Sequence, residues 1–135
     1  DDSSFQIYPL PVFHGNTYMC LAFRFLSICY MSDVSCLPRK TSLFLGARLP
    51  CPKVIEAFPS PKQTQKEEKQ EIKKLGYPKV EGQPLDILIV DGLRLFHSHP
   101  SHICIEEALS WILHFRPKCA RLVGMVHTVE HFETK

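Results

Sequence analysis

The sequence lacks the features that would mark a membrane protein or a nucleic-acid-binding tail. It has no apolar run close to the roughly 20 residues that a membrane-spanning helix needs, and its formal net charge is only +2 over 135 residues, which does not by itself indicate a polyanionic partner. Its first residues, DDSS, have the pattern of neither a signal peptide nor a transit peptide, and they lack an initiator Met. We therefore expect a processed product or a fragment that has no membrane partner.

Paired cysteine motifs are also missing. The chain has six cysteines, and none of them has the C-x-x-C spacing of a zinc ribbon. Several lie inside apolar runs, where a free Cys behaves as a small hydrophobic residue. We expect reduced thiols in a cytoplasmic compartment rather than a disulfide framework.

What the sequence does contain is a series of short apolar runs that are typical of strands. The predicted strands are residues 5–12, 18–25, 28–31, 86–91 and 121–126. Pro9 and Pro11 favour an edge position for the first of them. Only Leu26 and Ser27 separate the second strand from the third, so we predict a hairpin there.

Two further segments have the pattern of helices. Residues 38–45 form a short one with a proline near its first turn. The second begins after Ser101, whose hydroxyl can cap it, and ends at Pro117. Because a strand, this helix and a strand follow one another, we expect the two strands to be parallel neighbours. The fold class that follows is α/β, a mixed sheet with flanking helices.

Residues 46–84 differ in composition from the rest of the chain. Six prolines interrupt them, and residues 62–74 are mostly Lys, Gln and Glu. Such a segment offers little apolar surface to bury, so we predict a flexible insertion at the surface of the domain. Its acidic residues interleave with the basic ones, which argues against a nucleic-acid-binding patch.

Residues 85–102 (LDILIVDGLRLFHSHPSH) have the most informative pattern in the chain. An apolar strand ends on Asp91, and the loop that follows holds His97, His99 and His102. In open α/β sheets, ligands collect beyond the carboxyl ends of the strands. We therefore expect acidic and imidazole side chains to meet at this edge of the sheet.

Other strand ends carry the same residue types, at His14, Asp33 and His127. Imidazole and carboxylate groups together suit zinc, manganese or iron. Each residue also has a structural alternative, since His14 lies beside a glycine and can serve a turn, while Asp33 and Asp91 can cap a helix or form a turn. The spacing alone leaves both interpretations open.

Four motifs, in this order, resemble the C-terminal half of a metallo-β-lactamase-fold metallohydrolase. They are residues 9–15 (PLPVFHG), 30–33 (YMSD), 88–94 (LIVDGLR) and 99–109 (HPSHICIEEAL). The branch they are most similar to holds cyclic phosphodiesterases of the phosphonate pathway and, more distantly, tRNA 3′-processing ribonucleases. The resemblance implies that residues 1–135 form part of a four-layer αββα sandwich, with two divalent metal ions, Zn or Mn, in a complete family member.

The resemblance also implies roles for individual residues. His14 matches a metal-ligand histidine, and Asp33 matches the carboxylate that bridges the two metals. His102 matches a histidine near the scissile phosphate, which acts as a general acid or holds the substrate. Asp91 matches the acid that ends the preceding strand, and we expect it to support His102. The implied function is a metal-dependent hydrolase of a small phosphodiester or nucleotide, with RNA and thioesters as alternative substrates.

The sequence departs from the family pattern in several places. The principal metal motif, H-x-H-x-D-H, is absent from the chain. Gly124 stands where the last ligand is usual, so we expect His127, or else His131, to replace it. The segment 97–102 (HSHPSH) looks like the missing motif, but Ser101 stands in place of its aspartate. Residues 46–84 also interrupt what is a short connection in the family.

These departures leave two other functions open. The first is a non-catalytic remnant or binding module of the same fold, with weak or no metal binding. The second is a regulator with a structural zinc held by the histidines of residues 97–102. In each case, half of a sandwich would expose the apolar face that normally packs on its partner sheet, and we expect self-association to cover it.

Overall fold

The computed structural model describes residues 6–46, 53–55 and 84–129. The strands are β1 (Ile7–His14), β2 (Tyr18–Phe25), β3 (Ile28–Met31), β4 (Leu37–Pro38), β5 (Val54–Ile55), β6 (Ile87–Asp91) and β7 (Cys119–Val123). The helices are α1 (Arg39–Phe44) and α2 (Ile105–Phe115). Neither is long and apolar enough to cross a membrane.

Five strands form one mixed sheet in the order β1-β2-β3-β6-β7. The first three are antiparallel neighbours, whereas β6 runs parallel to both β3 and β7. Leu26 and Ser27 form the two-residue turn between β2 and β3, and Leu26 adopts a positive φ of 52° there. The predicted hairpin, the mixed sheet and the parallel pairing of the last two strands are therefore confirmed.

One face of the sheet carries the hydrophobic core. Alternate side chains of the strands point to this face, as the period of two in a strand requires, and α2 packs its apolar stripe against them. Core residues include Leu10, Val12, Ala22, Cys29, Met31, Leu88, Val90, Ala108, Trp111 and Phe115. Full burial of a large apolar side chain stabilises a fold by about 1.5–3 kcal/mol, so this layer supplies most of the driving force for folding. Burial also raises the pKa of the Cys29 thiol to about 12, in keeping with a packing residue.

The opposite face of the sheet is apolar but open. We call it the outer face, and its most exposed members are Ile7, Met19, Leu21, Phe23 and Tyr30, whose side chains are 38–54% exposed. They alternate along β1, β2 and β3 with the buried residues of the core face. The described residues thus form one five-stranded sheet with a helix on one face and a separate two-stranded sheet of β4 and β5, and the second large sheet of an αββα sandwich stays a prediction.

Several predicted boundaries were wrong. The N-cap of α2 is Cys104 rather than Ser101, and the Cys104 N–H donates to the Glu107 carboxylate at 2.9 Å. Ser101 is unavailable as a cap because its hydroxyl lies 3.1 Å from a ring nitrogen of His99. The last strand ends at residue 123 instead of 126, because Gly124 turns the chain away with a φ of +75°.

Part of the predicted insertion is structured. Within residues 46–84, β5 pairs in parallel with β4, and the Lys53 carbonyl accepts a hydrogen bond from the Leu37 N–H at 3.1 Å. Residues 47–52 and 56–83 lie outside the described part of the chain, so the flexible insertion stays a prediction.

Glu107 links three separate segments around the start of α2. Its carboxylate lies 2.6 Å from the Lys53 ammonium and accepts a hydrogen bond of 2.6 Å from the Ser98 hydroxyl. Burial raises the pKa of Glu107, but the hydrogen bonds from Lys53, Ser98 and the Cys104 N–H, with the charge of Lys53, outweigh it and lower the pKa to about 2. An unfolded glutamate titrates near ~4.3. Glu107 therefore stabilises the fold above that pH, and this contribution is lost as the pH falls towards 2.

We expect Glu107→Gln to lower the free energy of unfolding at pH 7 by on the order of 2 kcal/mol. The difference from the unsubstituted protein should shrink as the pH is lowered from 4.5, because its carboxylate then loses its charge. Urea titrations monitored by circular dichroism at several pH values measure both effects. Glu106→Gln is the matched control, since Glu106 is exposed one position away on the same helix. An equal loss of stability in both variants would contradict this assignment.

Candidate functional site

Three predicted site residues meet at one edge of the sheet. His14 ends β1, Asp33 follows β3, and His102 lies in the loop after β6. One potential ligand atom from each lies within 4.8 Å of the other two. The topology explains this, since β1, β3 and β6 all run in the same direction and so bring their carboxyl ends to the same edge.

Backbone pairing holds the end of β1 against the segment that follows Asp33. The Phe13 N–H donates to the Cys36 carbonyl at 3.0 Å, and the Ser35 N–H donates to the Phe13 carbonyl at 2.7 Å. The next turn is fixed by Gly15, whose N–H donates to the Ser35 hydroxyl oxygen at 3.0 Å and whose φ is +79°. The position of His14 therefore depends on residues 35–36 as well as on its own strand.

A second backbone contact aligns Asp33 with His102. The Ile103 N–H donates to the Val34 carbonyl at 2.9 Å, so the residues that precede each of them in sequence are neighbours in space. Asp33 itself has a positive φ of 52°, a conformation that aspartate and asparagine adopt more readily than most residues. Its carboxylate is exposed and accepts a hydrogen bond from the Ser32 hydroxyl at 3.2 Å.

Asp91 is buried beneath His102. Its side chain is 2% exposed, and its Oδ2 lies 2.6 Å from Nδ1 of the His102 ring. Burial raises the pKa of Asp91, while hydrogen bonding and charge from His102 and hydrogen bonds from the Gly92 and Val34 N–H groups oppose the shift. An ionised carboxylate only accepts hydrogen bonds, so the neutral form of the His102 ring has its proton on Nδ1 and its lone pair on Nε2. This contact is the one that the predicted supporting role of Asp91 requires.

His14 contains a buried polar atom that lacks a partner. Its Nδ1 makes no hydrogen bond with any described residue, and such atoms are rare in folded proteins. Its ring lies across that of His102, with centroids 4.7 Å apart and planes at 86°. Two imidazoles and a carboxylate are donors that divalent zinc and manganese accept. The donor set and the unpaired nitrogen together fit one divalent cation.

The structure does not bring His127 into this group. Its side chain is exposed, and the preceding segment is fixed by a hydrogen bond from the Val126 N–H to the Leu93 carbonyl at 2.9 Å. At Gly124, an added Cβ would lie 2.6 Å from Oδ1 of Asp91, so a side chain at this position would displace the carboxylate. The ligand role of His127 stays a prediction, and His131 lies outside the described residues.

Two aromatic rings lie beside the site, and Tyr18 is the one that the sequence analysis missed. The Tyr18 ring is 6.3 Å from the His14 ring, and the His99 ring is 5.5 Å from the His102 ring. Tyr18 could have been found from the hairpin register, since it pairs directly with His14 across the β1–β2 turn. His97, by contrast, is exposed, with a φ of 69°.

No family model and no curated protein matches this sequence. Among solved structures, the chain is similar to one described as a new diphosphatase from the PhnP family, with a TM-score of 0.65 and 22% sequence identity. The match covers 96% of this chain but 36% of the other, so the chain spans about a third of that protein's length. This likeness supports the metallo-β-lactamase fold predicted from the four motifs.

The contact between Gly124 and Asp91 can be tested by adding a single methyl group. We expect Gly124→Ala to lose about 1 kcal/mol through its positive φ and about 1–3 kcal/mol more through the collision with the carboxylate. Gly46→Ala is the control, because Gly46 has a φ of +91° and no described atom within 4 Å of its Cβ position. Chemical denaturation measures both variants, and equal losses would show that the collision is relieved without cost.

Proposed function

We propose that this chain carries part of the active site of a metal-dependent phosphoesterase. The observation that supports it best is the convergence of His14, Asp33 and His102, with ligand atoms within 4.8 Å of one another. Three protein ligands leave a cation with an open position for water or substrate, as catalytic zinc sites have. The proposed substrate is a small phosphodiester or nucleotide, in line with the diphosphatase named for the structural neighbour.

The contact between Asp91 and His102 supports a ligand role for His102. Metal-binding histidines usually donate their second ring N–H to a carboxylate or carbonyl, which orients the ring and makes it a better ligand. Asp91 accepts such a hydrogen bond at 2.6 Å. The sequence predicted instead that His102 acts on the phosphate. Both roles would use Nε2. If His102 is a ligand, its replacement should weaken metal binding, and if it binds the substrate, the metal affinity should be unchanged.

A bound divalent cation would polarise a phosphoryl oxygen and lower the pKa of water in the site. The protein would contribute by placing ligand groups around the cation. Asp33 and His14 supply a negative charge and a neutral donor from two different strand ends. Asp91 keeps the proton of His102 on Nδ1, so that Nε2 is the ring nitrogen that can bind a cation. The Ile103–Val34 hydrogen bond of 2.9 Å keeps these groups in register.

Metal binding is the direct test. We expect Zn²⁺ or Mn²⁺ to bind the purified protein, and Asp33→Asn and His14→Ala each to weaken binding by at least tenfold. Asparagine is the better substitution at position 33, because it also tolerates the positive φ. His97→Ala should leave the affinity unchanged. Competition with a chromophoric chelator measures the affinities, and thermal melts confirm that each variant is folded.

The outcomes separate the competing functions. Hydrolysis of bis-p-nitrophenyl phosphate that is lost in Asp33→Asn would support the enzyme. Metal binding that survives in His102→Ala, with loss of hydrolysis, would assign His102 to the substrate instead of the cation. Well-folded protein that binds no metal would favour the non-catalytic module, and metal binding that depends on His97 would favour the regulator with a structural zinc.

We also propose that the outer face of the sheet is covered by protein when the chain functions, and that the isolated 135 residues self-associate through it. Contiguous apolar patches of this kind are uncommon on monomers. Sedimentation velocity at tens of micromolar should detect dimers or larger species, and Leu21→Lys with Phe23→Lys should shift them to monomers. Leu113→Lys is the control, because Leu113 is 76% exposed on α2, away from this face. A monomeric unsubstituted chain would contradict the proposal.

A further inference from the structure

His99 is in contact with the candidate site without belonging to the ligand group. Three imidazole rings follow one another, with centroids 4.7 Å apart between His14 and His102 and 5.5 Å apart between His102 and His99. The ligand group holds the first two of these residues together with Asp33. His99 is half-buried at the end of this row, so it lies beside the place where a ligand of the cation would bind.

The loop that carries His99 is fixed on both sides. On one side, the Ser98 hydroxyl donates to Glu107 at 2.6 Å. On the other, Ser101 packs against the turn after β1, where a Cβ added to Gly15 would lie 3.7 Å from the Ser101 Cβ. Glu107 is itself anchored by Lys53. His99 therefore has a defined position between the strand end that holds His14 and the start of α2.

Hydrogen bonding assigns opposite tautomers to His99 and His102. The Ser101 backbone N–H donates to Nδ1 of His99 at 3.3 Å, and a backbone N–H can only donate, so this nitrogen has no proton and the neutral ring carries it on Nε2. In His102 the order is reversed, because Asp91 accepts from Nδ1 at 2.6 Å. At Nε2, the neutral His102 ring thus has a lone pair, whereas the neutral His99 ring has an N–H.

We propose that His99 is a substrate-binding residue, whose Nε2–H donates a hydrogen bond to a phosphoryl oxygen of the phosphoester. The identity of the substrate rests on the proposed function, whereas the tautomer does not. A cation and a neutral N–H on the same phosphoryl group stabilise its negative charge from two directions.

The tautomers can be measured without metal or substrate. In protein labelled with ¹⁵N-histidine, long-range ¹H–¹⁵N correlation at pH 8 should show His99 as the Nε2–H form and His102 as the Nδ1–H form. Ser101→Ala removes the hydroxyl but keeps the backbone donor, so the His99 tautomer should be unchanged. An Nδ1–H form of His99 in the unsubstituted protein would overturn the proposal.

Phosphate binding tests the proposed contact. Inorganic phosphate should bind the Zn²⁺-loaded protein and shift the His99 Nε2–H resonance. His99→Phe keeps an aromatic ring and removes the donor, so it should weaken phosphate binding about tenfold, the effect of losing one hydrogen bond to a charged oxygen. His97→Phe is the matched control and should bind phosphate as the unsubstituted protein does. Zn²⁺ affinity should be the same in all three proteins.

The outcomes distinguish this proposal from the proposed function. Unchanged phosphate affinity in His99→Phe would overturn it, and so would a loss of Zn²⁺ affinity, which would make His99 a ligand. If the protein takes up no metal, the proposed function fails, and the His99 resonance is followed in metal-free protein. A shift of that resonance by millimolar phosphate then supports an anion site at His99, and no shift overturns it.

Discussion

The candidate site depends on one buried carboxylate. Asp91 is 2% exposed in its side chain, and a buried charge is tolerated only where hydrogen bonds replace the water it has lost. Its donors come from separate parts of the chain, namely the His102 ring and the Gly92 and Val34 N–H groups. The hydrogen bonds that Asp91 accepts therefore link the end of β6, the segment after β3 and the histidine loop. The absence of a side chain at Gly124 leaves room for it.

The same constraint explains why the ligand residues converge although they are far apart in sequence. Val34 contacts both Asp91 and the backbone of Ile103, and its neighbour in sequence is Asp33. Because Ile103 follows His102, the backbone of Val34, a residue whose side chain lies in the core, links the segments that carry two site side chains. His14 is added through a different contact, the pairing of Phe13 with Cys36. Backbone hydrogen bonds between these segments thus determine where the side chains of the site lie.

Much of the fold could be predicted from the sequence, because alternation and turn residues are local signals. The hairpin at Leu26–Ser27 and the parallel pairing of β6 with β7 follow from such signals, and the structure confirms both. The cap of α2 was predicted wrongly, because the Ser101 hydroxyl contacts His99 within the same loop and the helix begins three residues later, after Cys104. The position of His127 was not predictable from its spacing after a strand, because it depends on the hydrogen bond between Val126 and Leu93, and its ligand role stays a prediction. The contact between the His99 and His102 rings could not be predicted either, since nothing in a string of three histidines shows which rings touch.

Asp91 and Glu107 contribute to the stability of the fold with opposite signs. Burial raises its pKa above that of an exposed aspartate, which means that the folded state binds a proton more tightly than the unfolded chain does. Asp91 therefore lowers the free energy of unfolding at a pH above its folded-state pKa. This loss of stability disappears at a pH below the pKa of an unfolded aspartate. Glu107 has the opposite sign, because its pKa is lowered to about 2 and its ionisation stabilises the fold at neutral pH. Of the two acids next to the histidine loop, Glu107 therefore stabilises the fold through the contacts that hold this loop, whereas Asp91 makes its hydrogen bond to His102 at a cost in stability.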